Sequence, residues 1–136
     1  MDMDTNSFDT SDKESVLVID NDAVVGRLVQ QALRGSGYEV LLVDDANDGL
    51  ELAKQQRGKL DLLITDLIMP GMNGRVLAEM ICAEDPMLRV LFISGYSADL
   101  LEEEDADVEG AAFLAKPFSM KELVAKVREV IHPERA

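Results

Sequence analysis

The chain has a single cysteine, few basic residues and no long apolar run, and each shortage excludes a class of protein. Cys82 has no partner for a disulfide within the chain, which suits the cytosol, and its apolar helical surroundings predict a buried, inert thiol. No apolar run approaches the ~20 residues of a membrane span. No basic start followed by a hydrophobic block marks a secretory signal. We therefore expect a cytoplasmic protein that does not enter a membrane.

Acidic residues dominate the charged part of the chain. The chain has 13 basic and 27 acidic residues, which gives a formal net charge of −14. This balance argues against binding to nucleic acid or to an anionic membrane. Between Asp99 and Glu109 the chain has seven acids and no base. That run is interpreted either as a solvated loop and helix face or as a surface that steers a basic partner.

The length and the apolar content predict one folded domain. With 136 residues, of which 47% are hydrophobic, the chain can bury a single core. Residues 1–14 are polar, acidic and aperiodic apart from Phe8, which predicts a disordered leader. The folded domain is expected over residues 15–132, followed by a tail at residues 133–136.

Short β-branched runs alternate with helical periods through the rest of the chain. Strands are expected near residues 16–20, 39–43, 60–65, 89–93 and 111–115, and helices near residues 23–35, 46–57, 74–84, 97–105 and 119–131. Ser119 and Glu122 form a capping-box pattern at the start of the last helix. Five strand–helix units predict a doubly wound α/β domain, (βα)5, with a parallel sheet in the order 2-1-3-4-5.

Polar residues follow three strands of this predicted sheet. Asp66 ends the apolar run at residues 60–65, the segment Asp-Asn-Asp at residues 20–22 closes the first strand, and Lys116 closes the fifth. Ligands of doubly wound sheets bind outside the carboxyl ends of the strands, at the switch point between strands 1 and 3. Each residue alone would be an ordinary strand end or surface lysine. Their convergence predicts a site for a metal and a phosphoryl group.

The chemistry expected at this site is phosphoryl transfer to a carboxylate. Asp66 is the candidate nucleophile, because a carboxylate that attacks phosphorus forms an aspartyl-phosphate. Lys116 and a divalent cation would neutralise the charge on the phosphoryl oxygens, and the Ser94 hydroxyl at the end of the fourth strand is a further donor. Mg²⁺ prefers oxygen ligands. Four side chains could furnish them: Asp20, Asn21, Asp22 and Asp66.

Four segments of the sequence together resemble a known family. They are residues 20–22 (Asp-Asn-Asp), Asp66 with the turn at residues 69–74 (Met-Pro-Gly-Met-Asn-Gly), residues 94–97 (Ser-Gly-Tyr-Ser) and residues 113–118 (Phe-Leu-Ala-Lys-Pro-Phe). In this order they resemble the receiver (response-regulator) domain of two-component signalling, over about residues 15–131. The segment around Ser94 is most similar to receivers attached to hybrid sensor histidine kinases.

The resemblance implies a flavodoxin-like fold and a role for each matching residue. Asp66 matches the phospho-acceptor, and Lys116 matches an invariant lysine whose bond to Pro117 is typically cis in the family. Ser94 matches the switch hydroxyl and Phe113 the switch aromatic. The implied function is to accept a phosphoryl group from a histidine kinase or histidine phosphotransfer protein, rather than to act as an enzyme on other substrates.

The resemblance also implies a Mg²⁺ or Mn²⁺ site, at which this chain departs from the family pattern. Asp20 and Asn21 match an acidic pair that holds the metal with Asp66, and the backbone carbonyl of Ile68 matches a further ligand. Asn21 stands where the family has a second acid, and an amide carries no net charge. Asp22 would compensate only if the loop turned it inward.

The resemblance implies that phosphorylation changes the conformation of one surface of the domain. That surface is made by the predicted helix at residues 97–105, the strand at residues 111–115 and the helix at residues 119–131. The acidic run between Asp99 and Glu109 lies on that surface. We therefore expect a basic protein partner there, whose binding weakens with salt.

Two other functions fit part of the pattern. A degenerate receiver that only binds partners is favoured by Asn21 and opposed by the intact Asp66, Ser94 and Lys116. A haloacid-dehalogenase-type phosphatase would use Asp20 as its nucleophile, and it needs a further acidic pair after the lysine. Only three acids follow Lys116, all within or just past a helix: Glu122, Glu129 and Glu134.

Overall fold

Strands and helices alternate along a computed structural model, which describes residues 13–95 and 111–133. The strands are β1 (Ser15–Ile19), β2 (Glu39–Val43), β3 (Leu62–Asp66), β4 (Ile68–Met69), β5 (Met72–Asn73), β6 (Arg89–Ser94) and β7 (Ala112–Ala115). The helices are α1 (Ala23–Gly35), α2 (Ala46–Gln55), α3 (Gly74–Glu84) and α4 (Met120–Ile131). The predicted helix at residues 97–105 lies outside the described residues.

Five of these strands form one parallel sheet. Its order is β2-β1-β3-β6-β7, which is the predicted order 2-1-3-4-5. β1 lies between β2 and β3, where Val18 pairs with Leu42 on one side and with Ile64 on the other. The two-residue strands β4 and β5 form a small antiparallel hairpin directly after β3. The doubly wound α/β architecture is therefore confirmed.

Apolar side chains cover both faces of the sheet and form two cores. Alternate residues of a strand point to opposite faces, so Leu17 and Ile19 of β1 pack with α2 and α3, and Val16 and Val18 pack with α1 and α4. The central strand β3 is buried along its whole length. Burial on both faces explains why the strands are continuous apolar runs.

A polar side chain caps the start of each described helix by accepting hydrogen bonds from its first turn. The caps are Asp22 for α1, Asp45 for α2, Asn73 for α3 and Ser119 for α4. Both hydrogen bonds of the predicted capping box are present: the Glu122 amide donates to the Ser119 hydroxyl, and the Ser119 amide donates to the Glu122 carboxylate. Such caps contribute about 1 kcal/mol each and fix where the chain turns into the helix. None of the described helices has the length and apolar content needed to cross a membrane.

Candidate functional site

Asp66 is the last residue of β3 and lies at the carboxyl edge of the sheet. It pairs with Ile93 of β6, and only 6% of its surface is exposed. The sequence pattern predicts that this strand ends near residue 65, but it extends to Asp66, and the Leu67 amide still donates to the Ile93 carbonyl at 2.9 Å. Pairing with β6 therefore continues through Asp66 to the Leu67 amide, which holds the backbone of Asp66 against β6.

The hairpin after Asp66 folds back tightly onto the acceptor segment. The Gly74 amide donates to the Leu67 carbonyl at 2.6 Å. A Cβ atom at Gly74 would lie 2.0 Å from the Asp66 carbonyl oxygen, so only glycine fits there. Gly71 has a φ of +74°, a left-handed conformation that favours glycine. These contacts explain why glycine is required at both positions of the Met-Pro-Gly-Met-Asn-Gly turn.

Lys116 reaches Asp66 from the end of β7. Its ammonium nitrogen lies 3.3 Å from Oδ1 of Asp66. The Lys116 amide donates to the Ser94 carbonyl at 2.8 Å, which ties the lysine backbone to the end of β6. The bond between Lys116 and Pro117 is cis, as the family resemblance implied. The structure thus brings together the lysine and the acid that the sequence placed at one edge.

Asp20 follows β1 and is the second carboxyl at this edge. It is 2% exposed, and its Oδ1 accepts a hydrogen bond from the Asp22 amide at 2.9 Å. Burial, together with the hydrogen bond and the negative charge of Asp20, raises the pKa of Asp66 from 3.8 to about 7, while Lys116 acts in the opposite direction. Two buried carboxyl groups therefore lie against each other with one lysine beside them.

This donor set fits a hard divalent cation. Packing against Asp20 disfavours ionisation of Asp66, and a cation bound beside the two carboxyl groups would remove that cost. Mg²⁺ is held in proteins by one or two carboxylates together with waters and phosphate oxygens. Within residues 13–95 and 111–133, no cluster of three or more His, Cys, Asp or Glu side chains is arranged for a metal. The pair Asp20 and Asp66 could supply the carboxylate part of a Mg²⁺ ligand set, and the remaining ligands would have to be other oxygen atoms.

The other predicted metal ligands lie at the rim of the site. Asn21 is exposed and directly follows Asp20. The Oδ1 atom of Asp22 accepts from the Val24 and Val25 amides at 3.0 and 3.2 Å, so this side chain caps α1. An aspartate directly before a helix is a common N-cap, and this signal was available in the sequence.

Ser94 and Phe113 lie on the neighbouring strands β6 and β7. Ser94 is the last residue of β6 and is 4% exposed. It pairs with Ala115, one residue before Lys116. Phe113 is half-buried, and its ring stacks on Phe92 with centroids 5.5 Å apart. The two predicted switch residues therefore lie on adjacent strands that lead to the same edge of the sheet.

The chain matches one protein family over most of its length. A sequence model of the response regulator receiver domain family matches residues 16–128. The response regulator receiver protein CpdR of Brucella abortus (strain 2308) is 31% identical over 116 residues, which are 85% of this chain and 95% of that protein.

Similarity extends to a sensor kinase and to a solved receiver structure. The sensor kinase CckA of Brucella abortus (strain 2308) is 29% identical over 126 residues, which are 93% of this chain and 13% of that protein. This chain therefore spans only a small part of the kinase. The crystal structure of the receiver domain from the hybrid histidine kinase CckA superposes with a TM-score of 0.76 at 32% identity, over 87% of this chain and 99% of that one.

Proposed function

The chain belongs to the response regulator receiver domain family, and from this premise we propose that Asp66 accepts a phosphoryl group from a phosphohistidine. The donor would be a histidine kinase or a histidine phosphotransfer protein of a two-component system. One observation carries the proposal: a buried carboxyl at a strand end contacts Lys116 at 3.3 Å and lies against a second carboxyl, Asp20. Family membership gives no support to a phosphatase that uses Asp20 as its nucleophile.

The proposed step is a displacement at phosphorus. A carboxylate oxygen of Asp66 attacks the phosphorus, the nitrogen–phosphorus bond of the donor histidine breaks, and the histidine nitrogen keeps the electron pair and takes up a proton. The ammonium group of Lys116 stabilises the charge on the phosphoryl oxygens, and the Ser94 hydroxyl donates to one of them. The protein then acts only on its own phosphorylation, and not as an enzyme on other substrates.

The nucleophile must be ionised for this attack. Because its pKa is raised to about 7, Asp66 is partly protonated at neutral pH in the absence of other cations. Asp20 and Asp66 would hold Mg²⁺ or Mn²⁺, with the Asn21 amide and the backbone carbonyl of Ile68 as further oxygen donors. When bound, the metal would supply positive charge that keeps Asp66 ionised and offsets the charge of the incoming phosphoryl group.

Phosphorylation is proposed to switch a surface next to the site. Ser94 would move toward a phosphoryl oxygen on Asp66, and the space that it leaves would let the Phe113 ring turn inward. Such a local change in charge biases a two-state element. The affected surface includes β7, α4 and the acidic segment at residues 99–109, which lies outside the described residues. A basic protein partner fits that segment.

Transfer of labelled phosphoryl from a phosphohistidine donor tests the proposed function. Wild-type protein with Mg²⁺ should take up a label that is stable in acid and lost in alkali, and Asp66→Asn should take up none. Asp61→Asn is a matched control, because Asp61 lies just before the other end of the same strand and its side chain accepts a hydrogen bond from the Ser15 amide, far from the proposed site. Label that survives in Asp66→Asn, or that is lost in Asp61→Asn, would contradict the assignment.

A further inference from the structure

Thr65 places a hydroxyl group in a layer of buried apolar side chains. It directly precedes Asp66 on β3 and is 0% exposed. Across the sheet it pairs with Ile19 of β1 and with Phe92 of β6, and both of these belong to the core that packs on α2 and α3. Paired residues of neighbouring strands point to the same face, so Thr65 lies in that core. Valine has nearly the same shape and would bury no polar atom, so packing alone does not explain the hydroxyl.

The Thr65 hydroxyl donates to the backbone carbonyl of Asp66. Its Oγ1 lies 3.1 Å from that oxygen, and the sulfur of Met69, at 4.0 Å, is the weaker acceptor. The same carbonyl oxygen packs closely on the backbone of Gly74, where an added Cβ would lie 2.0 Å from it. The hydroxyl therefore supplies a hydrogen-bond donor to a carbonyl that is tightly enclosed by the start of α3.

This carbonyl belongs to the peptide that leads from the proposed acceptor into the hairpin. The orientation of that planar peptide sets the backbone angle ψ of Asp66. At the nitrogen end of the peptide, the Leu67 amide donates to the Ile93 carbonyl at 2.9 Å. The peptide is thus held through its oxygen by Thr65 and through its nitrogen by β6. A fixed peptide keeps Asp66 in place relative to Lys116, whose ammonium nitrogen is 3.3 Å from its carboxylate.

We propose that Thr65 is a positioning residue for phosphoryl acceptance: its hydroxyl fixes the peptide between Asp66 and Leu67 and so aligns the Asp66 carboxylate for attack. This rests on the proposed function, because alignment matters only if Asp66 attacks phosphorus. Thr65 is fully buried and acts through the backbone of Asp66, without contact to the donor. A misplacement of about 1 Å can slow a reaction about 100-fold, so loss of one such hydrogen bond should have a measurable effect.

Thr65→Val tests the proposal, because it removes the hydroxyl and keeps the branched shape. The probe is the phosphorylated donor protein that labels the wild type fastest in a panel of histidine kinases and phosphotransfer proteins. Single-turnover transfer over a range of donor concentrations separates the rate at saturation from the concentration that gives half of that rate. The rate at saturation should fall about tenfold and the half-saturating concentration should not change, because the donor does not contact a buried side chain.

Thr65→Ser keeps a hydroxyl at this position and should transfer at a rate within about twofold of the wild type. If Thr65→Val does not fold, as judged by urea unfolding, Thr65→Ala and Thr65→Ser provide the same comparison. These two variants differ by the hydroxyl alone, and Thr65→Ala should be the slower by about tenfold.

Ile64→Val is the control for a general loss of stability. Ile64 precedes Thr65 on β3, is 1% exposed and belongs to the core on the opposite face of the sheet. Removing one methylene there should make the domain easier to unfold in urea. The transfer rate of this variant should equal that of the wild type, because the hydrogen bond to the Asp66 carbonyl is retained.

Amide hydrogen exchange gives a measurement that needs neither donor nor phosphoryl group. The Leu67 amide bonds to β6, and the Gly74 amide donates to the Leu67 carbonyl at 2.6 Å. Both amides should exchange faster in Thr65→Val than in the wild type and in Thr65→Ser, because the peptide that holds them is less restrained. Amides of α1 should exchange at the wild-type rate in all three proteins.

Each measurement has a result that would overturn the role of Thr65. These results are a wild-type transfer rate for Thr65→Val, an effect on the half-saturating concentration alone, an equal slowing by Thr65→Ser or Ile64→Val, and unchanged exchange of both amides. Failure of every donor to label wild-type Asp66 would instead contradict the proposed function itself. The two failures are therefore distinguishable.

Discussion

Replacing Asp66 by asparagine should make the protein more stable at alkaline pH, although it removes the proposed acceptor. The pKa of Asp66 is raised from 3.8 to about 7 by burial and by the adjacent Asp20, against the opposing effect of Lys116. Between these two pH values the folded protein holds a proton that the unfolded chain has lost. The free energy of unfolding contributed by this group is therefore highest below pH 3.8 and falls as the pH rises to about 7.

The magnitude follows from the same pKa difference. A difference of about three pH units, at 1.36 kcal/mol per unit, corresponds to a loss of about 4 kcal/mol in metal-free protein above pH 7. Asparagine has nearly the same shape and cannot ionise, so Asp66→Asn escapes this loss. We expect the variant to be more stable than the wild type by about 2–4 kcal/mol at pH 8 and nearly equal to it at pH 4.

Urea unfolding in the presence of a chelator measures this difference at pH 4, 6 and 8. Asp61→Asn is again the control, because Asp61 is exposed. In this variant the difference in the free energy of unfolding between pH 4 and pH 8 should be the same as in the wild type. Asp20→Asn should make the difference in the free energy of unfolding between pH 4 and pH 8 smaller, since it removes the neighbouring charge that raises the pKa of Asp66. An Asp66→Asn variant that is equally or less stable than the wild type at pH 8 would refute the reasoning.

Three further predictions concern the rim of the site. Asn21→Asp should tighten Mg²⁺ binding in a direct titration, because it restores a carboxylate to a hard-cation site; unchanged affinity would mean that another group already fills the role. Gly74→Ala should lower the free energy of unfolding by about 2 kcal/mol or more, because its Cβ would meet the Asp66 carbonyl at 2.0 Å, and wild-type stability would show that the hairpin relaxes freely. The phosphoryl group on Asp66 should last minutes or longer, because the residues two positions after Asp66 and Ser94 are Ile68 and Tyr96, residue types without a carboxylate or amide to orient an attacking water, and Ile68→Asn should speed its loss. An unchanged rate would leave Ile68 without that role.

The sequence predicted the sheet and the meeting of Asp66 with Lys116 because both follow from short-range patterns. Apolar runs that end in polar residues mark the carboxyl ends of strands, and in a parallel sheet those ends share one edge. No long-range information was needed beyond the strand order. The close contact of Asp20 with Asp66, and the raised pKa that results from it, depends on side-chain packing that the pattern does not encode.

The exposure of two apolar side chains of α1 could not be predicted in the same way. The helix is apolar at most positions, and the exposed Val24 and Leu28 alternate with the buried Val29 and Leu33, so the apolar pattern alone does not mark which of these side chains stay uncovered. Which of these side chains is left uncovered depends on how α4 packs against α1. The metal role of Asp22 stays a prediction, but its hydrogen bonds to the first turn of α1 give an independent reason for an aspartate there.

The central claim is that Asp66 itself carries the phosphoryl group, and chemical trapping tests it most directly. Borohydride reduces an aspartyl-phosphate to homoserine, so a chain phosphorylated by its donor can be reduced, digested and sequenced by mass spectrometry. We expect homoserine at position 66 alone, and only when the phosphohistidine donor and Mg²⁺ were present. Homoserine at position 20, or an unmodified position 66 in a chain that had taken up label, would contradict it.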